Sequence, residues 1–265
     1  MLGTVQDAED VVQETMLRWH TAERENIRQP EAWLVSVATR LSVDRLRRAA
    51  TERVSYPGQW LHEPIADDRF SPDRNAEIAS DLPMAFLVLL ERLAPEERAA
   101  FLLREVFDTD YDEIARTLDK TPTAVRQIVH RARERIHTDR TRFTAPLEAK
   151  EQLFGRFIEA LQADDKDGLL AVIADDATWV SDGGGKGPSA RRMIHGSDRI
   201  ARLLLGIQRK RRLPFTYNIA YVNGEPCMIS YRQGELFSVT FCATDGDRMR
   251  RLFVVTNPDK LTQLR

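Results

Sequence analysis

The spacing of apolar residues changes character near Arg142, and no other feature of the chain restricts its fold as much. Upstream, apolar side chains recur every three or four residues, the period of an amphipathic helix. Downstream, one long helical stretch gives way to β-branched and aromatic runs separated by Gly, Asn and Asp, the pattern of strands and turns. A chain with both textures is expected to be multidomain: two all-α modules followed by an α+β domain. Residues 6–48 hold two helices divided at Pro30. Residues 55–74 lose periodicity and place Pro57, Gly58, Pro64 and Pro72 among polar residues, the composition of a linker. Residues 81–136 read as four helices, broken at Ala94-Pro95, at Phe107-Asp-Thr-Asp110 and at Asp119-Lys-Thr-Pro122. Beyond them, one long helix is expected, then strands at 177–180, 215–222, 227–231, 236–243 and 249–255, forming a curved antiparallel sheet. The expected boundaries are 1–54, 55–76 for the linker, 77–142 and 148–265.

Charge and cysteine content narrow the classes. The 265 residues carry 39 basic and 41 acidic side chains, a net charge of −2, so the whole chain is no polycation. Contact with nucleic acid must come from local patches. Cys227 and Cys242 are too few for a disulfide scaffold and lack metal-ligand spacing. The longest apolar run, Met84–Leu90, is far short of a bilayer span, and no leader pattern opens the chain. A cytoplasmic protein without metal or cofactor is expected.

The strongest local signal runs from Tyr111 to Ile136. It reads as helix, tight turn, helix, with Asp119 at the left-handed turn position, Thr121 as N-cap and Pro122 at the first helical position. In the second helix Val125, Ile128, Val129, Ala132 and Ile136 form the buried stripe. The opposite face presents Thr123, Arg126, Gln127, His130, Arg131 and Arg133. From Lys120 to Arg142 seven basic residues face two acids, which suits phosphate contact and major-groove readout by a helix-turn-helix. Charge also divides the first module. Residues 1–31 carry seven acids and three arginines, whereas 40–53 carry five arginines and two acids. Trp33, between them, suits either core packing or stacking on a base.

Asp7-Ala-Glu-Asp-Val-Val-Gln-Glu-Thr15, Ala32-Trp-Leu34, Asp44-Arg-Leu-Arg-Arg48 and the helix-turn-helix, in that order, resemble extracytoplasmic-function (ECF) sigma factors of bacterial RNA polymerase. Trp60-Leu-His-Glu-Pro64, Asp182-Gly-Gly-Gly-Lys186 and Asn257-Pro-Asp-Lys-Leu261 resemble the signature segments of the SigJ-like subgroup, which carries a C-terminal SnoaL-like domain of the NTF2-like fold. The resemblance implies a sigma-2 domain over 1–54, shortened at its N-terminus, and a sigma-4 domain over 77–142. It implies an alternative sigma factor, not an enzyme, that binds core RNA polymerase and directs promoter-specific initiation. Asp10, Gln13 and Glu14 would dock on the β′ clamp helices. Trp33, Arg40, Arg45, Arg47 and Arg48 would open and read the minus-10 element. The helix-turn-helix would read minus-35, beside the β flap. His62 departs from the proline usual in that linker segment.

The C-terminal domain leaves three roles open. As a clasp, it would regulate the sigma modules through Trp60, Leu61, Glu63 and Pro64 of the linker, Asp182 and Lys186 of the glycine run, and Asn257, Pro258, Asp259, Lys260 and Leu261. As a sensor, it would hold an unknown small ligand in its pocket. As an isomerase or cyclase fused to a DNA-binding module, it would pair Asp182 or Asp176 with His195 for proton transfer. The glycine run lacks the Gly-Lys-Ser/Thr ending of a phosphate loop. The basic run from Arg199 to Arg212 suits either solvation or docking on an acidic surface.

Overall fold

Helix α1, Val5–Thr21, starts where Thr4 Oγ1 accepts the Asp7 amide at 3.2 Å. Helix α2, Pro30–Arg53, opens on the proline that divides the two periodic runs. Then follow α3, Met84–Leu90, α4, Pro95–Glu105, α5, Tyr111–Leu118, and α6, Pro122–Arg140. These are the two and the four helices expected. The computed structural model describes residues 1–23, 25, 27–65, 83–140, 145–210 and 215–264. The expected linker stretch 66–76, Arg142 and the Arg211-Arg212 end of the basic run lie outside the described residues.

The chain divides into two units, Met1–Ser55 with Leu89–Asp139, and Tyr56–Val88 with Arg140–Arg265. In the first, α1 lies on α2, burying Val11 and Thr15 against a stripe that includes Val43, Leu46 and Ala49. Trp19 and Trp33 meet at 5.5 Å between ring centroids, and Trp33 stays half-buried. Helices α4, α5 and α6 share a core of Ala100, Leu103, Ile114, Ala115, Val125, Ile128 and Val129. The turn between α5 and α6 is built as the sequence requires. Asp119 is left-handed (φ 54°, ψ 53°), the Lys120 amide donates to Ala115 O at 2.9 Å, and Thr121 Oγ1 accepts the Ala124 amide at 3.2 Å.

The second unit places α7, Leu147–Gln162, α8, Lys166–Val172, and α9, Ser197–Lys210, against a six-stranded sheet. Its strands are β1, Ile173–Asp182, β2, Ile194–His195, β3, Phe215–Val222, β4, Glu225–Arg232, β5, Glu235–Thr244, and β6, Met249–Val255, in the order β2-β1-β6-β5-β4-β3. Hairpins at Asn223-Gly224 and Gln233-Gly234 use the paired positive φ values of two-residue turns. One expectation fails: the sheet is mixed, because β1 runs parallel to β6. The chain between them passes through α9 and the β3–β5 meander, so β1 need not follow hairpin geometry.

Alternation along the strands sorts the core into two layers. Trp179, Met228, Cys242, Leu252 and Val254 face the helices. Val180, Cys227, Ile229, Val239, Phe241, Phe253 and Val255 face the other way, onto Leu61, Met84 and Leu261. The expected linker therefore differs from a solvated tether over 56–65: a sheet apolar on both faces needs a cover, and this segment supplies it. The two cysteines are buried and free, their thiols pushed up by desolvation, Cys242 to about 12.

Candidate functional site

On α6 the residues expected to read DNA share one exposed face: Thr123, Arg126, Gln127, His130, Arg131 and Arg133. They are not all equally engaged. Arg133 pairs with Glu105 at 2.6 Å, which raises its pKa, chiefly through that hydrogen bond. The Arg126 guanidinium sits 5.4 Å from the Tyr111 ring centroid. Gln127 and Arg131 project from the same face.

The arginines of α2 are partly engaged within their own unit. Arg40 donates from Nε to Thr117 O at 2.8 Å and from Nη2 to Arg116 O at 3.0 Å, both at the end of α5. Beside it the Ser36 and Thr117 hydroxyls meet at 2.7 Å. Arg47 reaches Glu96 of α4 at 2.5 Å, and Lys120 approaches the other oxygen at 2.8 Å. The Lys120 hydrogen bond outweighs the opposing effect of burial and, with smaller help from Arg47, holds the Glu96 carboxyl below its ordinary range. Arg45 bridges Asp7 and Glu52 instead, and Arg48 is exposed. On α1, Asp10 and Gln13 are exposed and Glu14 pairs with Arg18 at 2.8 Å. The same helix exposes Val12, Met16 and Leu17 by 56%, 49% and 62%, an apolar strip that charge counting alone does not reveal.

In the second unit the three signature segments converge on Asp182, which is fully buried. Its Oδ1 accepts the Tyr56 hydroxyl at 2.6 Å and the Gly184 amide at 3.0 Å. Its Oδ2 accepts the Leu61 amide at 2.9 Å and Lys260 Nζ at 2.8 Å. Lys260 also donates to Leu61 O and stands 4.0 Å from the Trp60 ring centroid. Asn257 Nδ2 donates to Tyr56 Oη at 3.1 Å. Desolvation and the neighbouring carboxylate push the Tyr56 hydroxyl well above its ordinary value. Glycine is required in the run: Gly184 has φ +58°, and a Cβ there would overlap the Asn257 amide. Leu61, Glu63 and Pro64 are buried and Trp60 half-buried, while His62 is buried edge-on to Trp60 at 4.9 Å. At the rim Lys186 pairs with Asp259 at 2.5 Å, both exposed, and Pro258 starts the closing turn.

A second anchor escapes sequence reading. Glu225 accepts the Met84 amide on one oxygen and Lys150 Nζ on the other, each at 2.6 Å, with both side chains buried. Burial raises the Glu225 pKa and Lys150 opposes the rise. Asn223 Oδ1 accepts the Ile65 amide at 2.8 Å. Of these residues only Lys150 left a trace in the sequence: it stands on the α7 stripe with Leu153, Phe154 and Phe157.

The acid–base pair imagined for catalysis does not assemble. Asp182 is engaged by the linker, Asp176 is exposed and pairs with Arg250 at 3.1 Å, and His195 is exposed on β2. None of the three lines the cavity of about 310 Å³ between α9 and the sheet. In the basic run, Arg209 pairs with Asp164 at 2.7 Å and Arg202 with Asp198, all on the surface.

An acidic helix, an arginine-bearing helix and a capped helix-turn-helix define a two-module factor that addresses DNA, carried with a C-terminal α+β domain. Comparison with known proteins makes the class specific. Residues 1–52 match the family Sigma-70 region 2, and residues 84–136 match Sigma-70, region 4. The ECF RNA polymerase sigma factor SigJ of Mycobacterium tuberculosis H37Rv is 36% identical over 99% of this chain and 88% of its own length. The probable ECF RNA polymerase sigma factor SigI of M. tuberculosis CDC 1551 is 30% identical over 100% of this chain and 90% of its own. The crystal structure of the M. tuberculosis extracytoplasmic function sigma factor SigJ superposes with a TM-score of 0.78 at 33% identity, covering 98% of this chain and 91% of that one. The chain belongs to the ECF sigma factors. It binds core RNA polymerase and directs promoter-specific transcription initiation. Among the described residues no helix is long and apolar enough to cross a membrane.

Proposed function

We propose that the fused C-terminal domain regulates this sigma factor by clasping the segment that joins its two sigma modules, and that it does so without catalysis. The observation that carries this reading is Arg40, expected at the minus-10 element, donating instead to the backbone carbonyls of Arg116 and Thr117. The two elements lie about 25 base pairs apart, ~85 Å at 3.4 Å per pair. Modules joined at 2.7 Å through Ser36 of α2 and Thr117 of α5 do not span that distance, so promoter reading requires opening. The clasp supplies a restraint on opening: residues 56–65 and Met84, both inside the connection between the modules, are held by Asp182, Lys260, Asn223 and Glu225.

Core polymerase selects the open state by binding it better. Its docking surface on α1 is Asp10, Gln13 and Glu14, for the β′ clamp helices, with the exposed Val12, Met16 and Leu17 supplying apolar contact. Arg45, Arg47 and Arg48 then join Arg40 and Trp33 at minus-10, and the exposed face of α6 reads minus-35 beside the β flap. The test mixes the chain with core polymerase and genomic DNA and maps the 5′ ends that need both. Starts sharing upstream elements are expected, and T117V/E96A, which weakens the closed contacts, should raise their yield. Unchanged yield from that variant counts against autoinhibition.

A further inference from the structure

We propose that the cavity under α9 is a binding site for a neutral, mostly apolar molecule carrying a hydroxyl or carbonyl oxygen, and that its occupancy is felt by the linker clasp. At about 310 Å³ it holds roughly ten water volumes of ~30 Å³ each, the lower end of small-ligand pockets. Its walls are apolar, with Trp179, Leu204, Phe215, Met228 and Phe237 among them, and among the described residues none of the lining side chains carries a formal charge. Tyr217, the one titratable group in the lining, is pushed up to about 12 by burial and stays neutral. Among the described residues no side chain of the lining would serve a charged ligand as counter-ion, so its desolvation would go uncompensated there.

The oxygen is called for by the floor. Tyr217, Ser230 and Ser238 are register partners across β3, β4 and β5, and Thr240 is the next residue on the same face. Ser230, Ser238 and Thr240 are 4%, 5% and 1% exposed and line the cavity. Among the described residues no hydrogen bond within the chain engages their hydroxyls. Buried hydroxyls both donate and accept, so either a hydroxyl or a carbonyl satisfies them. The link to the clasp, which rests on the regulatory reading above, is the opposite wall. Ser181 and Thr256 line the cavity, and each immediately precedes a clasp residue, Asp182 and Asn257. Thr256 Oγ1 donates to Asp182 O at 3.1 Å and to Pro188 O at 2.9 Å, joining that wall to the glycine loop.

The probes are 2-naphthol, naphthalene and 2-naphthoate, titrated into the full chain without polymerase, so the outcome is independent of any transcription result. Saturable 2-naphthol binding is expected, with 2-naphthoate weaker by at least about tenfold. S230A/S238A should weaken 2-naphthol about tenfold and leave naphthalene unchanged. L203W, which fills the cavity, should abolish both with the circular dichroism spectrum preserved. Absence of saturable 2-naphthol binding, 2-naphthoate binding as tight, or binding unaffected in both variants overturns the site. Bound 2-naphthol should slow hydrogen exchange of the Leu61 amide, which donates to Asp182, as well as that of the Thr240 amide. Slowing at Thr240 without change at Leu61 overturns the link to the clasp.

Discussion

Asp182 concentrates the chemistry of the second unit in one carboxylate. Four donors surround it, two from the 56–61 segment, one from its own glycine loop and one from Lys260 near the C-terminus. Because Lys260 is itself buried, replacing Asp182 by Asn removes a buried carboxylate that faces its ammonium, and breaking a buried ion pair by removing one partner typically costs about 3–5 kcal/mol. D182N should lower the urea midpoint of the full chain, and adding K260M should recover part of the loss because the buried ammonium that faced Asp182 goes with it. A double variant less stable than the sum of the two singles would contradict that pairing. Glu96 works with the opposite electrostatic sign from Glu225. Its folded pKa lies below the ordinary 4.5, so its contribution is present above that value and is lost as pH falls through the lowered one. E96Q should therefore lower stability at neutral pH and flatten the acid limb below about pH 4.5, read from thermal midpoints between pH 3 and 7.

Helix α6 is the element whose form and position were most legible, because everything that shapes it is local. Asp119, Thr121 and Pro122 lie within four residues, and the buried stripe from Val125 to Ile136 follows one period. On its exposed face R126E and R131E remove cations without touching that core. Each should reduce promoter binding by holoenzyme and lower the slope of log K against log salt by about 0.9 for every phosphate that is no longer neutralised, while association with core polymerase stays unchanged. Joint loss of both associations would contradict the division between α1 and α6. The 56–65 segment was the least legible element. Pro57, Gly58 and Pro64 mark irregular backbone, which a linker and a buried cover share, so composition cannot separate the two. Strands β4 and β5 carry near-continuous buried runs, which tells that both faces are covered but not by what. The Lys150–Glu225 pair and the Glu225 hydrogen bond to Met84 join residues 75 and 141 positions apart, and no local pattern encodes such a partner.

At the scale of the whole molecule, the regulation proposed above requires the same chain to serve two states, one with its sigma modules in contact through Ser36 and Thr117 and one with them spread along a promoter. A polymerase that binds only the open state sees an affinity multiplied by the open fraction. If closing is favoured by about 3 kcal/mol, the apparent affinity falls roughly a hundredfold, and a change that abolishes the restraint returns it. Ending the chain after Thr256 makes such a change. It removes Asn257 from Tyr56, Lys260 from Asp182 and the Leu61 carbonyl, and Leu261 from the sheet face that Leu61 and Met84 cover. The helical core of the first unit contains none of the deleted residues. Hydrogen exchange of the 56–65 amides should therefore accelerate while that of α4 to α6 does not, and polymerase-dependent transcription should rise at limiting sigma factor. Faster exchange at 56–65 with unchanged transcription would leave the clasp a structural cover alone, and the restraint on opening would then have to lie in the Arg40, Ser36 and Glu96 contacts of the first unit.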